Sequence, residues 1–341
     1  MTYTQNGRII KMTGGLYTVR LDPAGESPSP LADTVVECRA RGQFRHARVS
    51  PLVGDRVTVQ YDHTSFSPGE DGKARPSGDR SGLMIAEILP RKNSLIRPPL
   101  ANVDTMLTVV AAASPDPDIP TVDKLLSILT FNRIVPVLVI TKCELNPARA
   151  AELKALYEQA GFRVFVLSSY TGEGVDELAA FTLSRGAGEI TPDAGEILAV
   201  AGASGAGKST LLNTIFPDLG LTTGELSEKI GRGKNTTRHT ELFDLGDGTD
   251  SNRRGNRRYI ADTAGFSLLD FERFDFFTLE DLPHTFPEFA PYLGKCRYTD
   301  CTHTADEGCA LLAAVKSGEI VKSRHDAYVE LYKTLKEKKK W

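Results

Sequence analysis

Gly202-Ala203-Ser204-Gly205-Ala206-Gly207-Lys208-Ser209 follows the apolar run Ile197–Ala201 and opens a segment patterned as a helix from Lys208. A strand, a glycine-rich loop ending in Lys-Ser and a helix, in that order, form the pattern of a phosphate-binding loop. Its glycines let the backbone curl until several N–H groups converge at a helix N-terminus, where the positive end of the helix dipole also lies. Lys208 is then placed to neutralise β and γ phosphates, Ser209 to ligate Mg²⁺, and Thr210 to stand beside it in the first helical turn. A strand feeding a helix in this way belongs to a parallel α/β sheet.

Working outward, apolar runs alternate with helical segments on the N-terminal side: Thr105–Ala112, Val122–Phe131, Val135–Ile140, Ala148–Ala160 and Val164–Leu167. Another apolar strand, Tyr259–Ala261, follows the loop. Continuously apolar strands between helices indicate a sheet covered on both faces. Residues 1 to 95 differ: short alternating strands at Gly7–Met12, Tyr17–Leu21, Val35–Arg39, Arg56–Tyr61 and Met84–Leu89 predict a small β-barrel. Ser65–Gly82, rich in Gly, Pro, Ser and Asp, reads as a mobile loop between its last two strands. The expected organisation is therefore a barrel over 1–95, an α/β domain over 96–275 and a cysteine-bearing, mostly helical unit over 276–341.

The composition agrees with a modular chain. Its 341 residues exceed what one simple core organises. No apolar run approaches the roughly 18 residues that span a bilayer, so a soluble protein with no membrane partner is expected. Met1–Arg8 lacks the features of a secretory signal. Five cysteines, three of them close together, suit a reducing cytoplasm and a metal site better than a disulfide framework. A net charge of −3 excludes bulk electrostatic coating of nucleic acid, leaving Arg253, Arg254, Arg257 and Arg258 as a local basic cluster.

Three further motifs select among phosphate-loop proteins. Asp262-Thr263-Ala264-Gly265 follows a strand, placing Asp262 to hold Mg²⁺ through water and the Gly265 N–H to meet the γ phosphate. Thr141-Lys142-Cys143-Glu144 follows Val135–Ile140 and is similar to the guanine-reading motif of GTPases, Asn-Lys-x-Asp. A carboxylate there accepts two N–H groups from the guanine edge, a pair that adenine lacks. Glu144 keeps the charge with one more methylene, Lys142 lies along the base, and Cys143 packs. Ser168-Ser169-Tyr170, after Val164–Leu167, stands where a supporting loop presents its backbone to the guanine oxygen. Because Thr141–Glu144 precedes Gly202, the motif order is circularly permuted, which a site built from neighbouring strand ends tolerates.

Cys296, Cys301, His303 and Cys309 follow the spacing C-x4-C-x-H-x5-C. Three thiolates and an imidazole suit tetrahedral Zn²⁺ with no open position, so a structural ion is expected. Free thiols or a disulfide are the bland alternatives. His46, His63, His284 and His325 read as surface or satisfied residues, and Cys38 as a packing residue.

A barrel, a permuted GTPase and this cysteine unit, in that order, resemble the RsgA (YjeQ) family of small-ribosomal-subunit biogenesis GTPases. Val53-Gly54-Asp55, Asn102-Val103-Asp104, Gly202–Ser209, Asp262–Gly265 and the four metal ligands carry the resemblance. It implies that the barrel is an OB-fold, a module that often binds RNA. It also implies GTP hydrolysis to GDP and phosphate, stimulated by the small ribosomal subunit during late maturation of its rRNA, by a monomer that then departs. The family's loop Gly-x-His-Thr-Thr, whose histidine is a proposed water-orienting residue, here reads Gly233-Lys234-Asn235-Thr236-Thr237. Asn235 stands in the histidine's place and His239, four residues on, is a substitute candidate; Lys208 completes the catalytic candidates, while Thr236 or Thr237 would close on Mg²⁺. Phe266 occupies the position where many GTPases place a glutamine. The sequence also admits two other readings: a nucleotide-gated RNA-binding module with incidental turnover, and a small-molecule kinase, against which Asp262–Gly265 and the guanine-like motif weigh.

Overall fold

The computed structural model describes residues 2–23, 31–42, 44, 49–62, 66–68, 74–76, 83–95, 99–183, 196–217, 240–245, 257–262 and 278–338. The chain divides into two compact units, one formed by 1–104, 187–200 and 233–264, the other by 105–186, 201–232 and 265–341.

In the first unit, strands β1 (Thr2–Thr13), β2 (Leu16–Leu21), β3 (Val35–Ala40) and β4 (Arg56–Asp62) lead through the paired three-residue strands β5 (Phe66–Pro68) and β6 (Ala74–Pro76) to β7 (Met84–Ile88). The stretch read as a loop, Ser65–Gly82, thus contains a short hairpin. The order β1-β2-β3-β7-β4, with β4 closing back on β1, makes a five-stranded barrel, and β3 runs parallel to β7 as an OB-fold requires. Alternation produces it: every second residue of β2 and of β4 is buried, among them Val57, Val59 and Tyr61. A bulge between Ile9 and Lys11 bends β1 as it runs beyond the closed barrel.

The barrel joins its tail through one clasp. Gly54 adopts φ 91°, and a Cβ there would stand 2.1 Å from the Ala101 carbonyl oxygen, so only glycine fits. Asn102 donates to the Gly54 carbonyl at 3.1 Å. Buried Asp55 receives Arg91 at 2.7 and 2.8 Å and the Leu52 N–H at 2.7 Å, a fully partnered charge. The hairpin β8 (Ser94–Leu95) and β9 (Leu100–Ala101) lies in this tail.

The second unit holds the fully buried strand β10 (Thr105–Ala111), helix α1 (Ile119–Phe131), β11 (Val135–Thr141), α2 (Pro147–Gln159), β12 (Arg163–Val166) and α3 (Val175–Leu183). The strands pair in parallel, β10 with β11 from Thr105↔Val135 to Ala111↔Thr141, and β11 with β12 from Val137↔Arg163 to Ile140↔Val166. Their C-terminal ends therefore align, and the loops at 112–118, 142–146 and 167–174 leave the same edge.

Strand β13 (Glu196–Gly202) carries the chain from the first unit into the second and ends at helix α4 (Lys208–Ile215). Asp104 fixes its start: the Asp104 N–H donates to the Ile197 carbonyl at 2.9 Å, and the Ile197 N–H donates back to the Asp104 carboxylate at 2.8 Å. Within the first unit β13 pairs in parallel with β15 (Arg258–Asp262), which pairs antiparallel with β14 (Glu241–Asp244), a strand absent from the sequence reading. β14 in turn meets β1 at Lys11↔Glu241, where the two side chains form a 2.8 Å ion pair.

The C-terminal part of the second unit starts with 3₁₀ turns at Leu282–Thr285 and Pro287–Phe289, continues through the cysteine loop and closes with helices α5 (Ala310–Ser317) and α6 (Lys322–Lys338). Its own apolar cluster gathers Leu282, Phe286, Phe289, Leu311, Ile320 and Tyr328.

Candidate functional site

The loop after β13 has the backbone that its glycines permit. Gly202, Gly205 and Gly207 take φ 152°, 78° and 93°, and a Cβ on Gly202 would stand 2.3 Å from the Val109 carbonyl oxygen. Gly207 is the N-cap of α4, so Lys208, Ser209 and Thr210 form its first turn, where backbone N–H groups have no helical acceptor and favour an anion. Lys208 Nζ lies across the loop, donating to the carbonyls of Gly202 at 3.0 Å and Ala203 at 2.8 Å. Ala203, Ser204 and Gly205 are exposed, and Ser209 is half-buried.

β11 delivers Thr141-Lys142-Cys143-Glu144 against this loop. The Thr141 hydroxyl stands 2.6 Å from the Ala206 carbonyl and 3.5 Å from that of Val110; with one proton it donates to Ala206. Lys142, at φ 56°, donates to the Gly205 carbonyl at 2.8 Å and also to the Ser114 carbonyl. The strand-end pair Thr141-Lys142 thus ties the loop at 112–118 and the phosphate loop to the start of the guanine-like motif. Cys143 is buried, with its thiol 3.8 Å from Glu173 Oε2 and its ionisation suppressed by burial and by the carboxylates of Glu173 and Glu144.

Glu144 Oε2 is buried without a hydrogen-bond partner among the described residues. A desolvated acceptor of this kind costs about 1–3 kcal/mol until a donor arrives. The paired N–H groups of a guanine edge are such donors. Ser168, in contrast, spends its hydroxyl on its own turn, accepting from the N–H groups of Tyr170 at 3.2 Å and Thr171 at 3.1 Å. Its loop offers backbone rather than side chain, and Ser169 beside it is half-buried.

Asp262 ends β15, one residue past the pair Ala199↔Ala261. Gly265, Asn235, Thr236, Thr237, His239 and Phe266 lie outside the described residues, as do Arg253 and Arg254. Arg257 is committed to the fold, pairing with Asp33 at 2.6 Å and Asp244 at 2.7 Å, so the basic cluster is not wholly free for a nucleic acid.

A second site forms in the C-terminal part. The ligand atoms of Cys296, Cys301, His303 and Cys309 all lie within 4.8 Å of one another. His303 Nδ1 stands 3.5, 3.4 and 3.6 Å from the three sulfurs, and the sulfurs of Cys296 and Cys309 are 3.8 Å apart. A tetrahedral ion with bonds of about 2.3 Å to sulfur and 2.0 Å to nitrogen requires separations of about 3.5 Å between nitrogen and sulfur and about 3.8 Å between sulfurs. The donor set fits such an ion and could hold it. Burial pushes the Cys301 thiol up to about 12, raises Cys309 and lowers His303. The imidazole is thereby neutral and ready to ligate, while the thiols of Cys301 and Cys309 need a cation to ionise.

The residues supporting this loop were not legible beforehand. His325 Nε2 donates to the His303 carbonyl at 2.8 Å, the Tyr328 hydroxyl donates to the Thr302 carbonyl at 2.8 Å, and Asp306 accepts from the Thr302 hydroxyl at 2.7 Å. Among the described residues no helix is long and apolar enough to cross a membrane.

The profile of the RsgA GTPase family matches residues 88–272, and that of the RsgA N-terminal domain matches residues 6–66. The chain belongs to the RsgA GTPase family. It is a GTPase with a barrel in front and the nucleotide motifs in permuted order. A protein of Geobacillus kaustophilus named small ribosomal subunit biogenesis GTPase RsgA is 38% identical over 98% of this chain and 98% of its own length. One of Agathobacter rectalis with the same name is 36% identical over 98% and 99%. Among solved structures, YjeQ of Thermotoga maritima superposes with a TM-score of 0.69 at 29% identity, covering 98% of this chain and 99% of that one. YloQ, described as a circularly permuted GTPase, superposes with a TM-score of 0.67 at 30% identity, covering 98% and 96%.

Proposed function

We propose that the chain hydrolyses GTP to GDP and phosphate in the late maturation of the small ribosomal subunit, and that the subunit stimulates the reaction. The observation that carries the nucleotide reading is the buried, unpartnered Glu144 Oε2 on the strand end whose Thr141 and Lys142 hold the phosphate loop. The subunit enters from the names of relatives that match over nearly the whole chain.

In this reading Glu144 accepts the guanine edge, Lys142 lies along the base, and the backbone after Ser168 and Ser169 meets the guanine oxygen. The N–H groups of Gly202–Ser209 with Thr210 cradle the phosphates, and Lys208 gives up its two loop carbonyls for phosphate oxygens. Mg²⁺ supplies charge neutralisation at the phosphates; Ser209 would ligate it, Asp262 would hold it through water, and Thr236 or Thr237 would close on it. Gly265 would bond the γ phosphate, and Asn235 or His239 would orient the attacking water. An asparagine cannot take up a proton at neutral pH, so turnover without the subunit is slow. The ion at Cys296, Cys301, His303 and Cys309 is zinc with a structural role. Division into 1–95, 96–275 and 276–341, a monomeric state, an RNA-contacting barrel and a cytoplasmic location belong to the same proposal.

Sedimentation with purified small subunits tests it. Binding in the presence of a non-hydrolysable GTP analogue and release with GDP is the expected result. No binding in either state sinks it. Phe266 and Asn235 favour one second reading, a nucleotide-gated RNA-binding module, in which binding depends on GTP but turnover does not respond to the subunit.

A further inference from the structure

Arg324 on α6 has no exposed surface, and neither has Asp123 on α1. The guanidinium donates to Asp123 at 2.7 Å and to Glu288, on the second 3₁₀ turn, at 2.7 Å and 3.4 Å. It also lies over the rings of Phe162 at 5.2 Å and Phe286 at 4.6 Å. Phe162 belongs to the apolar cluster around α2 and β11, and Phe286 to the cluster of the C-terminal part. One buried cation therefore stands between two cores.

Both helices that meet at this cation reach a loop with a ligand to hold. On α6 the neighbouring His325 and Tyr328 bond the carbonyls of His303 and Thr302 in the metal-binding loop. α1 opens just after Ser114, whose carbonyl receives Lys142, and Pro115, the nearest side chain to Gly205 of the phosphate loop. A hydrophobic contact between α1 and α6 could slide by fractions of an ångström at small cost. A buried charge triad cannot, because any separation leaves an uncompensated charge in a medium without water. Docking of α6 on α1 is therefore close to all-or-none, which is what a coupling element needs.

We infer that the Asp123–Arg324–Glu288 triad links the phosphate loop to the metal-binding loop, so that each site is tighter when the other is filled. The inference goes beyond the proposed function and rests on its nucleotide reading only in requiring that GDP bind at Gly202–Ser209. Linkage of this kind is reciprocal, so it can be read from either end.

The test titrates full-length protein with a fluorescent GDP analogue before and after metal removal, and follows metal loss to a chromogenic chelator with and without GDP. The expected result is a loss of GDP affinity on the order of tenfold on metal removal, and a slowing of metal loss by GDP of similar size. Removing one member of the triad strands a buried charge, so the comparison uses the charge-free variant Asp123→Asn/Glu288→Gln/Arg324→Met, in which both responses should fall below about twofold. Wild-type GDP affinity indifferent to metal, or a response of equal size in the variant, overturns the linkage alone. A wild type that binds no GDP overturns the nucleotide reading as well. Should the variant not fold, hydrogen exchange of the α6 backbone in the wild type decides: slower exchange with GDP supports the linkage, and unchanged exchange overturns it.

Discussion

Glu144 Oε2 and the Thr141 hydroxyl do opposite jobs at one strand end. Thr141 is satisfied within the protein, donating to Ala206 at 2.6 Å, whereas Glu144 Oε2 is buried and waits for a donor. Glu144→Gln should therefore weaken GDP binding by about 100-fold, roughly 3 kcal/mol, because an amide offers one acceptor where the guanine edge needs two. The urea midpoint should not fall, since the substitution acts on a buried oxygen that has no hydrogen-bond partner among the described residues. Isothermal titration and denaturation on the same preparation check both halves. Thr141→Val keeps the shape and removes the donor; the Ala206 carbonyl is then unbonded, and GDP affinity should drop by about tenfold without a change in the preference for guanine over adenine.

At the scale of elements, legibility followed burial. β10 and β13 were visible in the sequence because both their faces are covered, so they read as unbroken apolar runs. The barrel strands were visible from alternation. β14 was not: Glu241-Leu242-Phe243-Asp244 has a single buried apolar side chain, Leu242, and the strand exists because β1 pairs with it from 230 residues upstream and β15 from 15 to 21 residues downstream. Arg324 gave no sign of its burial, since helical spacing alone cannot tell a solvated charge from one whose partner lies 201 residues away, and His325, read as a surface or satisfied residue, is satisfied by the His303 carbonyl. The four candidate metal ligands were legible from spacing because local chain geometry brings them together, while Tyr328 and His325, which hold their loop from α6, carried no local signal.

Gly54→Ala forces a left-handed backbone on a residue with a Cβ and drives that atom into the Ala101 carbonyl, and it should cost roughly 3 kcal/mol in urea unfolding. Stripping the ion from the cysteine site leaves three buried or half-buried thiols and a neutral imidazole with no common partner. The loop between Cys296 and Cys309 should then lose its order first, with a lower apparent Tm for the C-terminal part and faster proteolysis there. Cys309→Ser should reproduce this without chelator.

For the whole molecule, the permuted order has a consequence that the separate motifs do not. The segment after Asp262, which meets the γ phosphate in GTPases, leads directly into the cysteine-bearing part, and the same part is bolted to α1 by Arg324. Under the proposed function and the linkage inferred above, nucleotide state and the C-terminal part would be joined both along the chain and through packing, as release after hydrolysis in that proposal requires. The most direct measurement is the rate of GTP hydrolysis by the purified chain with and without small ribosomal subunits, with ATP as the competing substrate and Lys208→Ala as the control. Slow turnover alone, strong stimulation by subunits restricted to GTP, and loss of both in the control are expected; turnover indifferent to the subunits, or equal with ATP, would contradict the proposed function.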